Sequence, residues 1–141
     1  MLMQPFNEKK PASLSPILVK ILSKPLSERT LQGDALAQAV ISLSRLFTTD
    51  RSNLAPRYLD DPAHADAYRS YFMPVNLSKV QVLLDELPEN SCMGVSDRPM
   101  AVLDLGCGPG TGSLALLDWL WHRSPDRARS VSMLAADSSQ G

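Results

Sequence analysis

The chain of 141 residues contains few of the side chains that most often bind metals or form disulfides. It has two histidines and two cysteines, and Cys92 and Cys107 are too far apart in sequence for a C-x-x-C metal motif. A metal site built by the protein is therefore not expected. Two reduced thiols in a cytosolic protein are the simpler interpretation.

Long apolar segments and an excess of one charge are also missing. No apolar run approaches the roughly 20 residues of a membrane-spanning helix, and the N-terminal stretch 1–16 contains Glu8 and lacks the apolar core of a signal peptide. The 14 basic and 15 acidic residues give a net charge of -1, which indicates no basic surface for nucleic acid or anionic lipid. We therefore expect a soluble, cytoplasmic protein with no membrane partner and no indication of DNA binding.

The chain does contain enough apolar sequence for one core, since 44% of its residues are hydrophobic. Cap residues and prolines divide its first part into helices. Ser15 followed by Pro16 predicts the start of a helix that ends at Pro25. A second helix is predicted from Asp34 to Phe47, because apolar residues recur there on one face.

The next segment predicts two more helices. The first is expected to start at Pro62, after an aspartate cap, and to break at Pro74. Asn76 is then predicted to cap a further helix, which ends before the polar, turn-rich stretch 89–99. Residues 1–98 are thus predicted to form a helical N-terminal region, with the polar stretch as its linker.

After the linker the helical pattern gives way to short apolar runs bounded by turn-forming residues, which suit buried parallel strands. A strand, "MAVLDL", leads into a glycine loop and a helix over 111–122, capped by Thr111 or a small neighbour. A polar return loop, 123–130, precedes a second strand, "VSMLAA", which ends at Asp137. The buried face of the helix is predicted to carry Leu114, Leu117, Leu120 and Trp121. This order predicts the opening of a doubly wound α/β sheet over residues 99–141.

The loop between strand and helix carries glycines at 106, 108 and 110, spaced as G-x-G-x-G. Such a loop brings backbone N–H groups and the positive end of a helix dipole to one point, and a Cβ would obstruct both the turn and a ligand. The dinucleotide pattern G-x-G-x-x-G would need glycine where Thr111 stands, which disfavours a nicotinamide oxidoreductase. A Walker loop is also disfavoured, because no lysine follows Lys79.

With its preceding acid, the stretch "VLDLGCGPGTGS" resembles motif I of the class I S-adenosylmethionine-dependent methyltransferases. The resemblance implies a Rossmann-like sheet with S-adenosyl-L-methionine as cofactor. It implies that Asp104 orients the loop and holds the cofactor's amino group. It also implies that the backbone of the loop lies against the methionine and ribose portions. The implied cofactor-binding residues are Asp104, Gly106, Cys107, Gly108, Gly110, Asp137 and Ser138.

The last two of these residues follow the second strand. On the same resemblance, Asp137 accepts hydrogen bonds from the ribose hydroxyls and Ser138 lies beside the adenine. The interval from Gly110 to Asp137 exceeds the roughly 20 residues usual in nucleotide-binding units. The return loop 123–130 supplies the excess.

The residues themselves leave alternatives open. A glycine-rich loop also serves as a simple turn, and Asp104 is as consistent with stabilising the loop as with touching a cofactor. Cys107 fits better as a small residue than as a nucleophile, because no histidine is placed to activate it. His64 and His122 are predicted to be surface or packing residues rather than catalysts.

A narrower resemblance comes from "AYRSYFMPVNLSKVQVLLDELP", which precedes the linker and the glycine loop. Over 54–137 the chain is similar to the small ribosomal subunit methyltransferase-like family. The residues that carry this likeness are Tyr68, Tyr71, Pro74, Asn76 and the turn 84–87. The resemblance implies methylation of ribosomal RNA or the small subunit. It equally allows a non-catalytic assembly factor that keeps the cofactor pocket. The tyrosines are predicted to pack rather than stack on RNA.

A methyltransferase sheet has more strands than the two predicted here, and a single βαβ unit cannot cover both faces of its strands. The chain is therefore expected to be the N-terminal piece of a longer protein, with an incomplete cofactor domain over 99–141. Its catalytic residues cannot be named, and the family's iron–sulfur cysteines cannot be carried over. Cofactor binding by these 141 residues alone is expected to be weak or absent, without turnover.

Overall fold

A computed structural model of the chain describes residues 14–25, 30–55, 57–87 and 99–137. The predicted linker, 89–99, lies outside these residues except for its last position. Among the described residues, no helix combines the length and the apolar character needed to cross a bilayer.

The first two helices follow the sequence prediction closely. Helix α1 spans Pro16–Leu22, and the Ser15 hydroxyl accepts a hydrogen bond from the Leu18 N–H at 3.0 Å. Helix α2 spans Gly33–Thr48 and starts one residue earlier than predicted. Its apolar stripe is buried around Leu43, which is fully covered. A 3₁₀ turn, Arg51–Asn53, follows it.

The third and fourth predicted helices are one continuous helical rod. A 3₁₀ turn at Tyr58–Asp60 leads into α3 at Pro62–Ala67, a π-helical segment at Tyr68–Phe72 and α4 at Met73–Asp85. Asp61 caps α3 as predicted, and its side chain accepts from the Ala63 N–H at 2.8 Å. The predicted break at Pro74 and the predicted cap at Asn76 are wrong.

The π-helical segment explains why Pro74 does not end the rod. A proline inside an α-helix lacks an N–H and its ring collides with the carbonyl four residues earlier. Here the Met73 N–H bonds to the Tyr68 carbonyl, five residues back, so the helix is widened just before the proline. Pro74 directly follows this widened turn, at the start of α4, and the rod continues through it.

Two parallel strands are connected through the glycine loop and two helices. Strand β1, Met100–Leu105, is followed by α5, Thr111–Arg123. A short helix α6, Pro125–Arg129, forms where the sequence predicts a return loop, because Pro125 stands at its first position. Strand β2, Val131–Ala136, then pairs in parallel with β1, residue 100 opposite 131 through 105 opposite 136.

The described chain is therefore mostly helical, with a small two-stranded parallel sheet of order β1-β2. This mixed architecture agrees with the predicted α/β class at a coarse level. The sheet is covered unequally. The face that carries Asp104 points to α5, since that side chain bonds to Ser113. On the opposite face, Leu103, Leu105 and Leu134 are 59%, 72% and 66% exposed.

Helix α5 packs on α4 and thereby on the helical region. Leu18, Met73, Leu77 and Ala115 form one apolar cluster across this contact. Gln81, which is buried, donates to the Asp118 carboxylate at 2.9 Å. The buried residues of α5 are Thr111, Ala115, Leu116 and Leu120.

Of the four residues predicted for the buried face of α5, Leu120 is buried, and Leu114 and Leu117 are half-buried. Trp121 is 47% exposed, so that prediction is wrong for it. The difference arises because the buried stripe of α5 is turned toward α4, a partner that the periodicity of α5 alone does not specify. The Arg129 guanidinium lies 5.5 Å from the centre of the Trp121 ring.

Candidate functional site

All three glycines of the loop adopt left-handed backbone conformations. Gly106, Gly108 and Gly110 have φ values of +70°, +50° and +81°. A residue with a Cβ pays roughly 1–2 kcal/mol in this region, so the turn itself requires glycine. The three glycines of the G-x-G-x-G pattern are therefore needed for the tight turn between β1 and α5.

The loop is tied to the end of β2 by its backbone. The N–H groups of Gly106 and Cys107 donate to the Ala136 carbonyl at 2.7 and 3.2 Å. The Gly110 N–H donates to the Cys107 carbonyl at 2.9 Å, which closes the turn before α5. The loop is therefore held against the carboxyl end of the neighbouring strand.

Asp137 lies beside the loop, as its position after the second strand predicts. Its Oδ2 accepts a hydrogen bond from the Gly108 N–H at 2.8 Å. A carboxylate offers about four acceptor positions, and the loop backbone uses one of them. Ser138, the other predicted residue of this strand end, lies outside the described residues.

Asp104 stabilises the start of α5. Its Oδ2 accepts from the Ser113 N–H at 3.1 Å and from the Ser113 hydroxyl at 2.6 Å. The sequence predicts Thr111 or a small neighbour as the cap, and the neighbour Gly110 holds that position, without a side-chain bond of its own. Asp104, which lies on β1, provides the side-chain cap of α5 instead. Its negative charge lies at the positive end of the helix dipole. These bonds give Asp104 a structural role at the start of α5.

The remaining chemically reactive candidates have ordinary surroundings. The Cys107 sulfur is half-buried and makes a weak contact to the Gly108 carbonyl at 3.6 Å. The Nδ1 of His64 lies 3.2 Å from the Tyr58 carbonyl oxygen, which gives this histidine a structural contact. His122 is exposed near the end of α5. Among the described residues, no group of three or more histidine, cysteine or acidic side chains is placed to hold a metal ion.

Two tyrosines near the loop were not predicted as site residues. The Tyr68 hydroxyl lies 3.2 Å from the Thr111 hydroxyl, at the first position of α5. Burial raises the pKa of Tyr58, and the nearby charges of Tyr68 and Asp137 raise it further. The sequence places Thr111 at the helix start but contains no signal that a residue 43 positions earlier reaches it.

The surroundings of the loop limit what it can hold. An ideal Cβ built on Gly106, Gly108 or Gly110 meets no heavy atom of its surroundings within 4 Å, so a ligand can approach the backbone closely. Asp104 and Asp137 place two carboxylates at the loop. Negative charge there opposes a pyrophosphate and favours a neutral or cationic ligand.

Comparison with known proteins identifies no relative: no family model, no curated protein and no solved structure matches the chain. The contacts of the loop's own residues describe a glycine cradle open to ligand, flanked by one acid from each strand.

Proposed function

We propose that the chain carries the cofactor-binding loop of an S-adenosylmethionine-dependent methyltransferase with a Rossmann-like sheet. The observation that carries the proposal is the pairing of the glycine loop with Asp137. The loop follows β1, the acid follows the adjacent parallel strand, and the Gly108 N–H bonds to the acid at 2.8 Å. Ligands of open α/β sheets bind at the carboxyl ends of the strands, which is where both features lie.

The chemistry of the residues fits this cofactor. The open space at the three glycines suits a nucleoside that lies against the backbone. Asp137 offers acceptors for ribose hydroxyls, and the two carboxylates suit the positive sulfonium and amino groups of the cofactor. The same charges are unfavourable for a dinucleotide, whose pyrophosphate would lie at the start of α5.

S-adenosylmethionine supplies a methyl group on a sulfonium, which passes to a nucleophile as the carbon–sulfur electron pair returns to sulfur, while the nucleophile loses its proton. The residues of this chain bind and orient rather than move that proton. The glycines admit the nucleoside, Asp137 fixes its ribose and Asp104 keeps the start of α5 in place. Positioning and exclusion of water are large contributors to such transfers.

We propose ribosomal RNA of the small subunit as the methyl acceptor. This part of the proposal depends on the likeness of the tyrosine-bearing helix to the small ribosomal subunit methyltransferase-like family. Tyr68 is packed in the core between α2, α4 and α5. In this chain it serves the fold, so the surface that meets RNA is expected elsewhere in the protein.

A second candidate is a non-catalytic factor for small-subunit assembly, in which the cofactor acts as a folding ligand. The contact between Tyr68 and Thr111 favours it, because it connects the loop to the helical core. A ligand that binds only the folded state stabilises the whole cooperative unit. In this candidate, S-adenosylmethionine raises the unfolding temperature without methyl transfer to any RNA.

Calorimetric titration of the chain with S-adenosylmethionine, S-adenosylhomocysteine and NAD tests the cofactor. We expect weak but saturable binding of the first two ligands. Asp137→Ala is expected to weaken it at least about tenfold, because a hydrogen bond to a charged group contributes roughly 1.5–3 kcal/mol. Asp126→Ala is the control, since that carboxylate lies on α6 and is exposed. Saturable binding of NAD without S-adenosylmethionine would contradict the proposal.

Incubation with methyl-labelled S-adenosylmethionine and small-subunit RNA separates the two candidates. Transfer of label to the RNA supports the enzyme. Binding with a raised unfolding temperature and no labelled RNA supports the assembly factor.

A further inference from the structure

A π-helical segment lies between α3 and α4. This segment starts at Tyr68, whose carbonyl accepts the Met73 N–H. Short π segments are frequent at functional sites. In this chain the first side chain of the segment is the one whose hydroxyl lies 3.2 Å from the Thr111 hydroxyl.

The ring of Tyr68 is fixed by packing on both sides. It packs against the cluster around Leu77 and Ala115 and also against the cluster around Leu43. The Tyr58 ring lies 6.4 Å from it, centre to centre. A side chain held from several directions delivers its hydroxyl to one place, which is the property required of a positioning group.

Its partner is equally well placed. Thr111 is 8% exposed and directly follows Gly110, the cap residue of α5. The Gly110 carbonyl accepts the Leu114 N–H at 2.9 Å, which starts the helical ladder. A shift of the Thr111 side chain would therefore move the end of the glycine loop.

We propose that Tyr68 is a positioning residue of the glycine-loop site, acting through the hydroxyl of Thr111. The helical region is then a part of the ligand site rather than a separate cover. Without the tyrosine hydroxyl, α5 still folds on α4, but the loop samples other positions. As a contribution to ligand binding, this inference rests on the proposed function.

The test compares Tyr68→Phe, which removes only the hydroxyl, with Tyr71→Phe as the control. Tyr71 lies in the same π segment and is 53% exposed, with an edge contact to Phe72. Affinity for S-adenosylhomocysteine is expected to fall about 2- to 10-fold in Tyr68→Phe, which is the usual contribution of one hydrogen bond. Amide hydrogen exchange at Gly110 and Leu114 is expected to become faster. The control is expected to change neither.

Variants of the partner make the test specific. Thr111→Val removes the hydroxyl and should reproduce the effects of Tyr68→Phe, whereas Thr111→Ser keeps it and should restore wild-type behaviour. The double variant with Tyr68→Phe should be no worse than either single variant, because both remove the same bond. Additive effects would overturn the inference, as would an unchanged exchange rate at Gly110 in Tyr68→Phe.

Failure of the proposed function is recognised separately. If the wild-type chain binds neither S-adenosylmethionine nor S-adenosylhomocysteine, the cofactor proposal fails. The exchange rates at Gly110 and Leu114 still decide whether Tyr68 fixes the loop. Faster exchange in Tyr68→Phe supports positioning, and unchanged exchange contradicts it.

Discussion

The helical region and the βαβ unit bury their apolar residues to different degrees. Leu43 and Leu77 in the helical region are fully covered, whereas Leu103 and Leu134 on the outer face of the sheet are 59% and 66% exposed. Within the part of the chain that the structure describes, helices α4 and α5 pack on each other, and the two strands are covered on the α5 side only. The glycine loop belongs to the βαβ unit, where Asp137 binds it, and Tyr68 of the helical region reaches Thr111 directly after it.

The largest expected effect tests that difference directly. Leu77→Ala should lower the free energy of unfolding by about 2–5 kcal/mol, because it leaves a cavity in a closed core. Leu103→Ala, the matched change on the open face, should cost about 0.5 kcal/mol or less. Urea denaturation of both variants measures this. Equal losses would show that the outer face of the sheet is covered in solution.

The next effect concerns the acid that connects the strand to α5. Asp104→Ala should cost about 1.5–3 kcal/mol, since it removes a charged acceptor from the Ser113 N–H and hydroxyl. Asp126→Ala serves as the control, because its contact to Arg129 is an exposed ion pair. Thermal unfolding of the two variants gives the comparison. A loss in Asp104→Ala no larger than in the control would exclude a role in holding α5.

A smaller effect is expected in the loop itself. Gly110→Ala should cost roughly 1–2 kcal/mol, because φ at this position is +81°. Gly110→Asn should cost less, since asparagine tolerates the left-handed region better than alanine. Neither Cβ meets an atom within 4 Å, so the difference reports backbone conformation rather than crowding. Chemical denaturation in which alanine is no worse than asparagine would contradict this account.

The smallest expected effect is a pH dependence at the boundary of the two regions. Burial, then Tyr68 and Asp137, raise the pKa of Tyr58 above its ordinary value of 10.0. Above that pH the unfolded chain releases this proton first, so stability present below about pH 10 is lost as the pH rises through the folded-state pKa.

Ultraviolet absorbance of tyrosinate follows the titration. The chain has three tyrosines. The titration step that disappears in Tyr58→Phe should occur at a higher pH in the folded protein than in denaturant. Titration of that group at the same pH in both conditions would place Tyr58 away from Asp137 and in ordinary solvent.

Local sequence signals predict the helix caps and the glycine loop. Ser15 and Asp61 cap helices where they were expected to, because a cap and a following proline are local signals. The loop between β1 and α5 was predicted for the same reason, since each glycine there meets a local backbone requirement. The continuous helix through Pro74 was not predicted, because no characteristic residue pattern marks the π segment that permits it.

Sequence patterns do not predict contacts between distant segments. Asp104 was left with two roles, and its bonds to Ser113 became visible only in three dimensions. Trp121 was expected to be buried because the partner of α5 was unknown. The Tyr68 and Thr111 hydroxyls meet only when α4 packs on α5.

A titration of the nitrogen-15-labelled chain with S-adenosylhomocysteine, followed by amide resonances, tests whether the glycine loop and Asp137 together bind an S-adenosyl nucleoside. We expect shifts concentrated at 106–113 and Asp137, with α2 unchanged and the same shifts absent with NAD. Shifts centred on the helical region away from the loop, or no shifts at saturating ligand, would rule this binding out.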